Sequence, residues 1–271
     1  MIKLSVEQTA GGWDPVVDKY EKAFEPFTTQ FVEEALRLTD LKPGQDVLDV
    51  AAGTGALTLP AAKVGANVTA IDFSPKMIDR LRIRLSDENL SNASVYVMDG
   101  QALDFPDERF DAVFATFSVF FFPDRHKGFT EMHRVLRRHG CAGVIVWASP
   151  FRLMEFFRQA MAERVPEIAP PQPAAGIVAL QDPDRLLSEM SAAGFCNTNI
   201  HTVSRVWATP SPDWLWEHAT GIAPMIAKVF DHIDAKKKNA VGAAFVRNLA
   251  DEFGEGPVYI ERQAHIAIGG R

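Results

Sequence analysis

The segment at residues 46–59, DVLDVAAGTGALTL, constrains the fold of this chain more than any other. An apolar run of strand type passes through Gly53 and Gly55 into a stretch of helical character. Glycines there let the backbone turn sharply and approach a ligand where a Cβ would collide. A helix that follows such a loop directs its free N–H groups and the positive end of its dipole at that ligand. Pro60 fits only in a first helical turn, so the helix starts near Ala56. The loop by itself also suits nicotinamide or flavin dinucleotides, whose fingerprint is G-x-G-x-x-G. Thr58 stands at the third glycine position, so that match is incomplete.

Downstream, strand-like NVTAID, SVYVMDG, FDAVFATFSV and AGVIVWAS alternate with helical patterns at 75–85 and 127–137. Near-continuous apolar strands between helices predict a parallel sheet covered on both faces. The rhythm changes after Pro150. Residues 151–164 read as helix, and VPEIAPPQPAAG as a loop too rich in proline for a regular element. Asp182 caps a helix that begins at Pro183 and ends before Gly194. NTNIHTVSRVW and GPVYIERQAHIAIG alternate as strands, and 210–253 between them is mostly helical. Upstream, Val17, Tyr20, Phe24, Phe27, Phe31, Ala35 and Leu38 recur at helical spacing. The expected organisation is one domain over 1–271: a helical lid at 1–40, a core at 41–150, and a C-terminal part at 151–271 with a helical cap at about 208–254.

A net charge of −7 argues against a nucleic-acid polyanion as the main partner, because such binding relies on Lys and Arg neutralising phosphates. The basic runs Arg134, Arg137, Arg138 and Lys236 to Lys238 read as a helix end and a solvated helix start. Cys141 and Cys196 have no metal-like spacing, and no metal is expected. MIKLSVEQTA lacks the apolar core of a signal peptide and no run is long enough to span a membrane, so the expectation is a cytoplasmic protein.

Asp72 closes its strand about seventeen residues after Gly55, where a carboxylate can accept both hydroxyls of a ribose. Its alternative use as a helix cap is taken by Ser74. Asp99 closes the next strand and separates the candidate cofactors, since a dinucleotide enzyme does not need it. With these residues in place the chain resembles the class I S-adenosylmethionine-dependent methyltransferases, and is similar to their ubiquinone/menaquinone-biosynthesis group, closely over 36–149.

The resemblance implies a Rossmann-like, doubly wound α/β fold: a seven-stranded sheet with its last strand antiparallel and a helical cap inserted near the C-terminus. It implies S-adenosylmethionine as cofactor and S-adenosylhomocysteine as product. Asp49, Ala51, Gly53, Thr54 and Gly55 match the loop around the methionine half, with Ala51 in place of the family's first glycine. Asp72 matches the ribose-binding acid, and Phe73 and Met77 the apolar contacts to adenine. Asp99 matches the acid that accepts the adenine amino group, flanked by Gly100 and Gln101. Phe117 and Ser118 stand where the fourth strand opens onto the methyl group, and Tyr20 resembles an aromatic that closes over the cofactor carboxylate. Many relatives carry a His-His pair where this chain has Phe120 and Phe121, which puts a base or metal role there in doubt.

Phe120, Phe121 and Trp214 are the expected acceptor contacts, in a pocket between the lid, the FFF loop and the cap. The acceptor expected is a hydrophobic or aromatic small molecule, methylated at O, N or C. Methyl transfer needs mainly alignment, and a base only where the acceptor must lose a proton. His218, four residues after Trp214, is the one candidate base on the cap; His265 falls on the more polar face of the last strand. The competing readings are a nicotinamide-dependent oxidoreductase and a non-catalytic cofactor-binding subunit.

Overall fold

A computed structural model describes residues 4–271 except 220 and 223, so the start of the expected lid and two positions of the expected cap lie outside the described residues. A 3₁₀ turn at Val6–Gln8 leads into α1 (Ala10–Trp13), α2 (Val17–Ala23) and α3 (Glu25–Leu38). The helical spacing of the first forty residues thus becomes a broken path. Pro15 cannot continue α1, and Pro26 fits only in a first turn, which makes Glu25 start a new helix. The core follows as β1 (Asp46–Val50), α4 (Thr58–Val64), β2 (Asn67–Asp72), α5 (Pro75–Asp87), β3 (Ala93–Val97), β4 (Phe110–Thr116), α6 (Arg125–Val135) and β5 (Leu136–Trp147). Then come α7 (Arg152–Arg164), α8 (Ala175–Ala179), α9 (Pro183–Ala192), β6 (Cys196–Thr209), α10 (Pro212–Ala219), α11 (Pro224–Phe230), α12 (Ala235–Phe253) and β7 (Val258–Gly270).

The strands form one seven-stranded sheet in the order β3-β2-β1-β4-β5-β7-β6. β1 to β5 pair in parallel, and β7 runs antiparallel to both β5 and β6. The expected α/β fold with an antiparallel last strand is therefore the observed one. β1 and β4 are buried almost throughout, which is why their sequences carry apolar residues on both faces. Chain order reverses between β1 and β4, and the crevice beyond their carboxyl ends is where such sheets hold ligands. Ser74, Asp124, Asp182 and Asp234 each accept a backbone N–H and start α5, α6, α9 and α12.

Several boundaries differ from the sequence pattern. The helix expected over 127–137 ends at Val135, because Leu136 turns extended and starts β5. Arg137 and Arg138 are strand residues; Arg138 is solvated, but Arg134 and Arg137 are engaged by the core. Arg134 donates to the Leu103 and Phe105 carbonyls at 2.8 and 2.7 Å, and Arg137 pairs with Asp46 at 2.9 Å and Asp111 at 2.6 Å. Lys236 to Lys238 do open α12 in an exposed position. The proline-rich loop is irregular through Ala174, and α8 starts at its end, where Gly176 approaches Phe120 so closely that an added Cβ would stand 2.1 Å from its carbonyl oxygen. His265 is buried, held by Thr202 Oγ1 at 2.8 Å and the Gln181 carbonyl at 3.1 Å, because β7 is covered on both faces from Ala264 to Ala267. No helix among the described residues is long and apolar enough to cross a membrane.

Candidate functional site

The crevice at the switch of strand order opens into a cavity of about 250 Å³. Of the residues expected to hold a cofactor, Tyr20, Ala51, Gly53, Asp72, Phe73 and Met77 line it. Asp99, Gly100, Gln101, Phe117 and Ser118 complete that set. Asp72 sits at the end of β2 with both carboxylate oxygens directed at backbone: Oδ2 accepts the Gly53 N–H at 2.9 Å and Oδ1 the Ser74 N–H at 2.8 Å. Burial pushes its pKa up to about 6, against the pull of those two N–H bonds. Asp99 is exposed at the rim and accepts from the Gln101 backbone N–H at 2.9 Å.

The loop backbone supplies the room. Gly53 has φ +56°, and a Cβ built there would meet nothing within 4 Å, so its open side is the cavity itself. Ala51 (φ +57°) and Phe117 (φ +52°) occupy the left-handed region without being glycine. Each costs about 1 kcal/mol, and such strain concentrates at ligand sites. A cradle with an open glycine, a carboxylate at the second strand and apolar walls fits a nucleoside bearing a polar tail. Ser118 Oγ, on the same wall, and Asp49 Oδ1, beneath the loop, are buried polar atoms without a partner among the described residues.

Asp49, Thr54 and Gly55, also expected at the cofactor, do not line the cavity. Asp49 is fully buried and accepts the Thr58 hydroxyl at 2.7 Å. Burial holds its pKa up to about 7. Thr54 hydrogen-bonds Glu25 of α3, and Arg84 of α5 joins both, bonding Glu25 and the Thr54 carbonyl at 2.8 Å. Gly55 leaves no room for a side chain, since its Cβ would stand 2.6 Å from Leu81 Cδ1. These three residues shape the loop from below.

A second, more apolar cavity of about 410 Å³ adjoins the first. Glu7, Trp13, Tyr20, Phe117 and Phe121 border both. Its other walls come from β5 and α7, from the proline-rich loop and α8, and from Ile222, Pro224, Met225, Ile226 and Phe245 of the cap. The FFF loop divides its rings: Phe120 faces the second cavity, Phe121 both, and Phe122 the first, where it packs on Gly100 and Gly128. Trp214 and His218 border neither cavity. His218 stacks on Trp214 at 4.5 Å, and Trp214 meets Trp207 of β6 edge-on at 6.4 Å, so this face of α10 packs on the sheet. Both therefore stand apart from the two cavities, where Trp214 was expected as an acceptor contact and His218 as a base.

Two further groups carry no sequence signal that marks them as functional. Glu7, in the 3₁₀ turn, is 4% exposed, and its Oε1 has no hydrogen-bond partner among the described residues. Its turn was detectable as the capping box of Ser5 and Gln8, but its own burial was not. Arg262 lines the second cavity from the inward face of β7. Among the described residues no group of three or more His, Cys, Asp or Glu side chains converges as metal ligands would.

Residues 47–140 match a methyltransferase domain. The chain is 42% identical over 105 residues to an uncharacterised protein of Mycobacterium tuberculosis, a match that spans 39% of this chain and 38% of that relative's length. Aklanonic acid methyltransferase of a Streptomyces species is 32% identical over 175 residues, 59% of this chain and 78% of the relative. Nocamycin O-methyltransferase of Saccharothrix syringae is 26% identical, over 91% of this chain and 92% of the relative. Among solved structures, the YcgJ protein of Bacillus subtilis shares the fold, with a TM-score of 0.56 at 16% identity over 89% of this chain and 98% of that one. On the domain match and the breadth of the Streptomyces relative, the chain belongs to the methyltransferase domain family.

Proposed function

We propose that the protein transfers a methyl group from S-adenosylmethionine to an oxygen of a hydrophobic small molecule and releases S-adenosylhomocysteine. The observation that carries this reading is the pair of cavities with a common wall: one edged by Asp72, Gly53 and Asp99, the other apolar. When bound, the cofactor supplies an activated methyl group on a sulfonium, a good leaving group. The chain's own task is then alignment and exclusion of water. Asp72 would take the ribose hydroxyls, Asp99 with Gly100 and Gln101 the adenine edge, and Phe73 and Met77 its faces. Ala51 and Gly53 would border the methionine part, Phe117 and Ser118 the methyl group, and Tyr20 would close the lid. Oxygen as the acceptor atom draws on the similarity to nocamycin O-methyltransferase.

A hydroxyl acceptor must lose a proton. Glu7 is the acidic residue that borders both cavities, and its unpartnered Oε1 is free to accept one. Glu7→Gln is expected to lower kcat about a hundredfold, the ordinary scale of a lost general base, with S-adenosylhomocysteine affinity held within about threefold. Unchanged kcat removes Glu7 from the chemistry. The function itself is tested by calorimetry with S-adenosylhomocysteine and with NADH, followed by incubation of methyl-labelled cofactor with a cell extract. The expected result is heat with the first ligand alone and label in apolar small molecules. Heat with NADH alone would replace this reading with the oxidoreductase one.

A further inference from the structure

β7 carries a charge where its alternation calls for an apolar residue. Val258, Ile260, Ala264 and Ile266 share the inward face of the strand with Arg262, which is 2% exposed. A cation withdrawn from water is costly unless an anion and hydrogen bonds compensate it. Arg262 has little of either. It enters no ion pair among the described residues; Nη2 reaches only the Ser149 carbonyl, at 3.5 Å, and Nε has no partner. Glu7 and Glu155 line the same cavity but do not pair with it. Its guanidinium lies over Trp147 at 3.9 Å and over Phe151 at 4.2 Å. Stacking serves the faces of the ion and leaves the N–H groups of its edge unsatisfied. Burial lowers its pKa to about 9, so it remains charged at neutral pH.

We propose that Arg262 is a specificity-determining residue of the apolar cavity, binding an anionic oxygen group, a carboxylate or an ionised enol, on an otherwise hydrophobic acceptor. The planar fork of N–H donors matches such a group, and the dry walls around it strengthen the bond. The geometry also fixes which end of the acceptor is held. Phe117 stacks on Trp147 at 4.0 Å, and Arg262 lies 3.9 Å from the same ring, so the two occupy opposite faces. Phe117 borders both cavities, whereas Arg262 borders only the second. The anion is therefore held at the end remote from the cofactor, and the oxygen that receives the methyl group is a different one, near Glu7.

This inference rests on the second cavity being the acceptor site, and the test separates the two. Anthracene-2-carboxylate and 2-(hydroxymethyl)anthracene, alike in shape and different in charge, are titrated by fluorescence into the wild type, Arg262→Met and Arg262→Lys, with and without S-adenosylhomocysteine. The wild type should prefer the carboxylate by at least about tenfold. Arg262→Met should bring the two probes within about twofold of each other, and Arg262→Lys should retain part of the preference. Cofactor-product affinity, measured by calorimetry, should be the same in all three proteins. Equal affinity of the wild type for both probes, no binding of the carboxylate, or a preference that survives in Arg262→Met overturns the proposal. Should Arg262→Met not fold, the wild-type ratio and Arg262→Lys decide. A carboxylate preference lost in Arg262→Met, in a protein that binds no S-adenosylhomocysteine, would keep the anion site and remove the methyl-transfer reading.

Discussion

Asp72 joins the glycine loop to the cavity through one carboxylate. Its two oxygens fix the Gly53 and Ser74 N–H groups, and the lone pairs left over face the cavity. Charge-assisted hydrogen bonds to ribose are worth about 1.5–3 kcal/mol each. Asp72→Ala should therefore bind S-adenosylhomocysteine at least about tenfold more weakly while remaining folded, as calorimetry and circular dichroism would report. With its pKa near 6, the wild type should lose cofactor affinity as the pH falls through that value, because the protonated acid has one acceptor fewer. Stability runs the other way. The folded state keeps a proton that the unfolded chain releases near 3.8, so this group's contribution is largest below that pH and is lost as the pH rises through about 6. Denaturant titrations of wild type and Asp72→Asn should show the variant gaining relative stability from pH 5 to pH 8. No change in that difference would mean the carboxyl is not raised. Asp72 was legible in the sequence because a strand end and a fixed distance from the glycines define it. Glu7 and Arg262 were not. An acid in a polar turn reads as solvated, and a single arginine in an alternating strand reads as an interruption until the fold buries it.

At the scale of elements, α2 and α3, the expected lid, are tied to the core by charge. Arg80 of α5 binds Glu21 of α2, with Nη2 to Oε1 at 2.8 Å, and Arg84 joins Glu25 of α3 to the glycine loop. Glu25 is 4% exposed, so removing its cation strands a buried charge. Arg84→Met should cost about 3 kcal/mol in denaturant unfolding and raise amide exchange over α3 and the loop together. Exchange confined to α5 would mean the lid is held by its apolar face alone. The cap gives the contrary lesson. Helical spacing placed Trp214 and His218 on one face correctly, but periodicity does not say which neighbour that face meets. Trp207 of β6 takes it, and the cavity receives Met225 and Ile226 of α11 instead. Trp214→Ala should behave as a packing change, losing about 3 kcal/mol of stability with S-adenosylhomocysteine affinity kept within about threefold. A selective loss of turnover in a protein of unchanged stability would return Trp214 to the acceptor site. The positions of strands and helices in the core were readable because buried parallel strands are apolar on both faces, whereas their order in the sheet was not. The breaks at Pro15 and Pro26, and the short α8 at the end of the proline-rich loop, depend on local geometry that a periodic pattern averages away.

Across the whole molecule, the sheet fixes one cavity and the added helices build the other. Sheet ends, the glycine loop and α5 supply most of the first; α7, the proline-rich loop with α8, and the cap supply about half of the second. Their common wall is a small set of residues, in which Phe121 meets Trp13 at 5.4 Å and Phe120 at 4.7 Å. This arrangement predicts two kinds of variant. Met225 touches only the second cavity, and a larger ring there would occupy acceptor space without reaching the cofactor. Met225→Trp should therefore raise KM for the acceptor strongly and leave S-adenosylhomocysteine affinity within about threefold, a change under 1 kcal/mol. Phe121→Ala opens the wall itself and should weaken both. It should also increase hydrolytic loss of the methyl group, since water would then reach the aligned atoms. Measuring cofactor affinity and acceptor KM on both variants separates the cases. If Met225→Trp impaired cofactor binding as severely as Phe121→Ala, the two cavities would act as one continuous site, and the division between a sheet-built cofactor site and a helix-built acceptor site would fail.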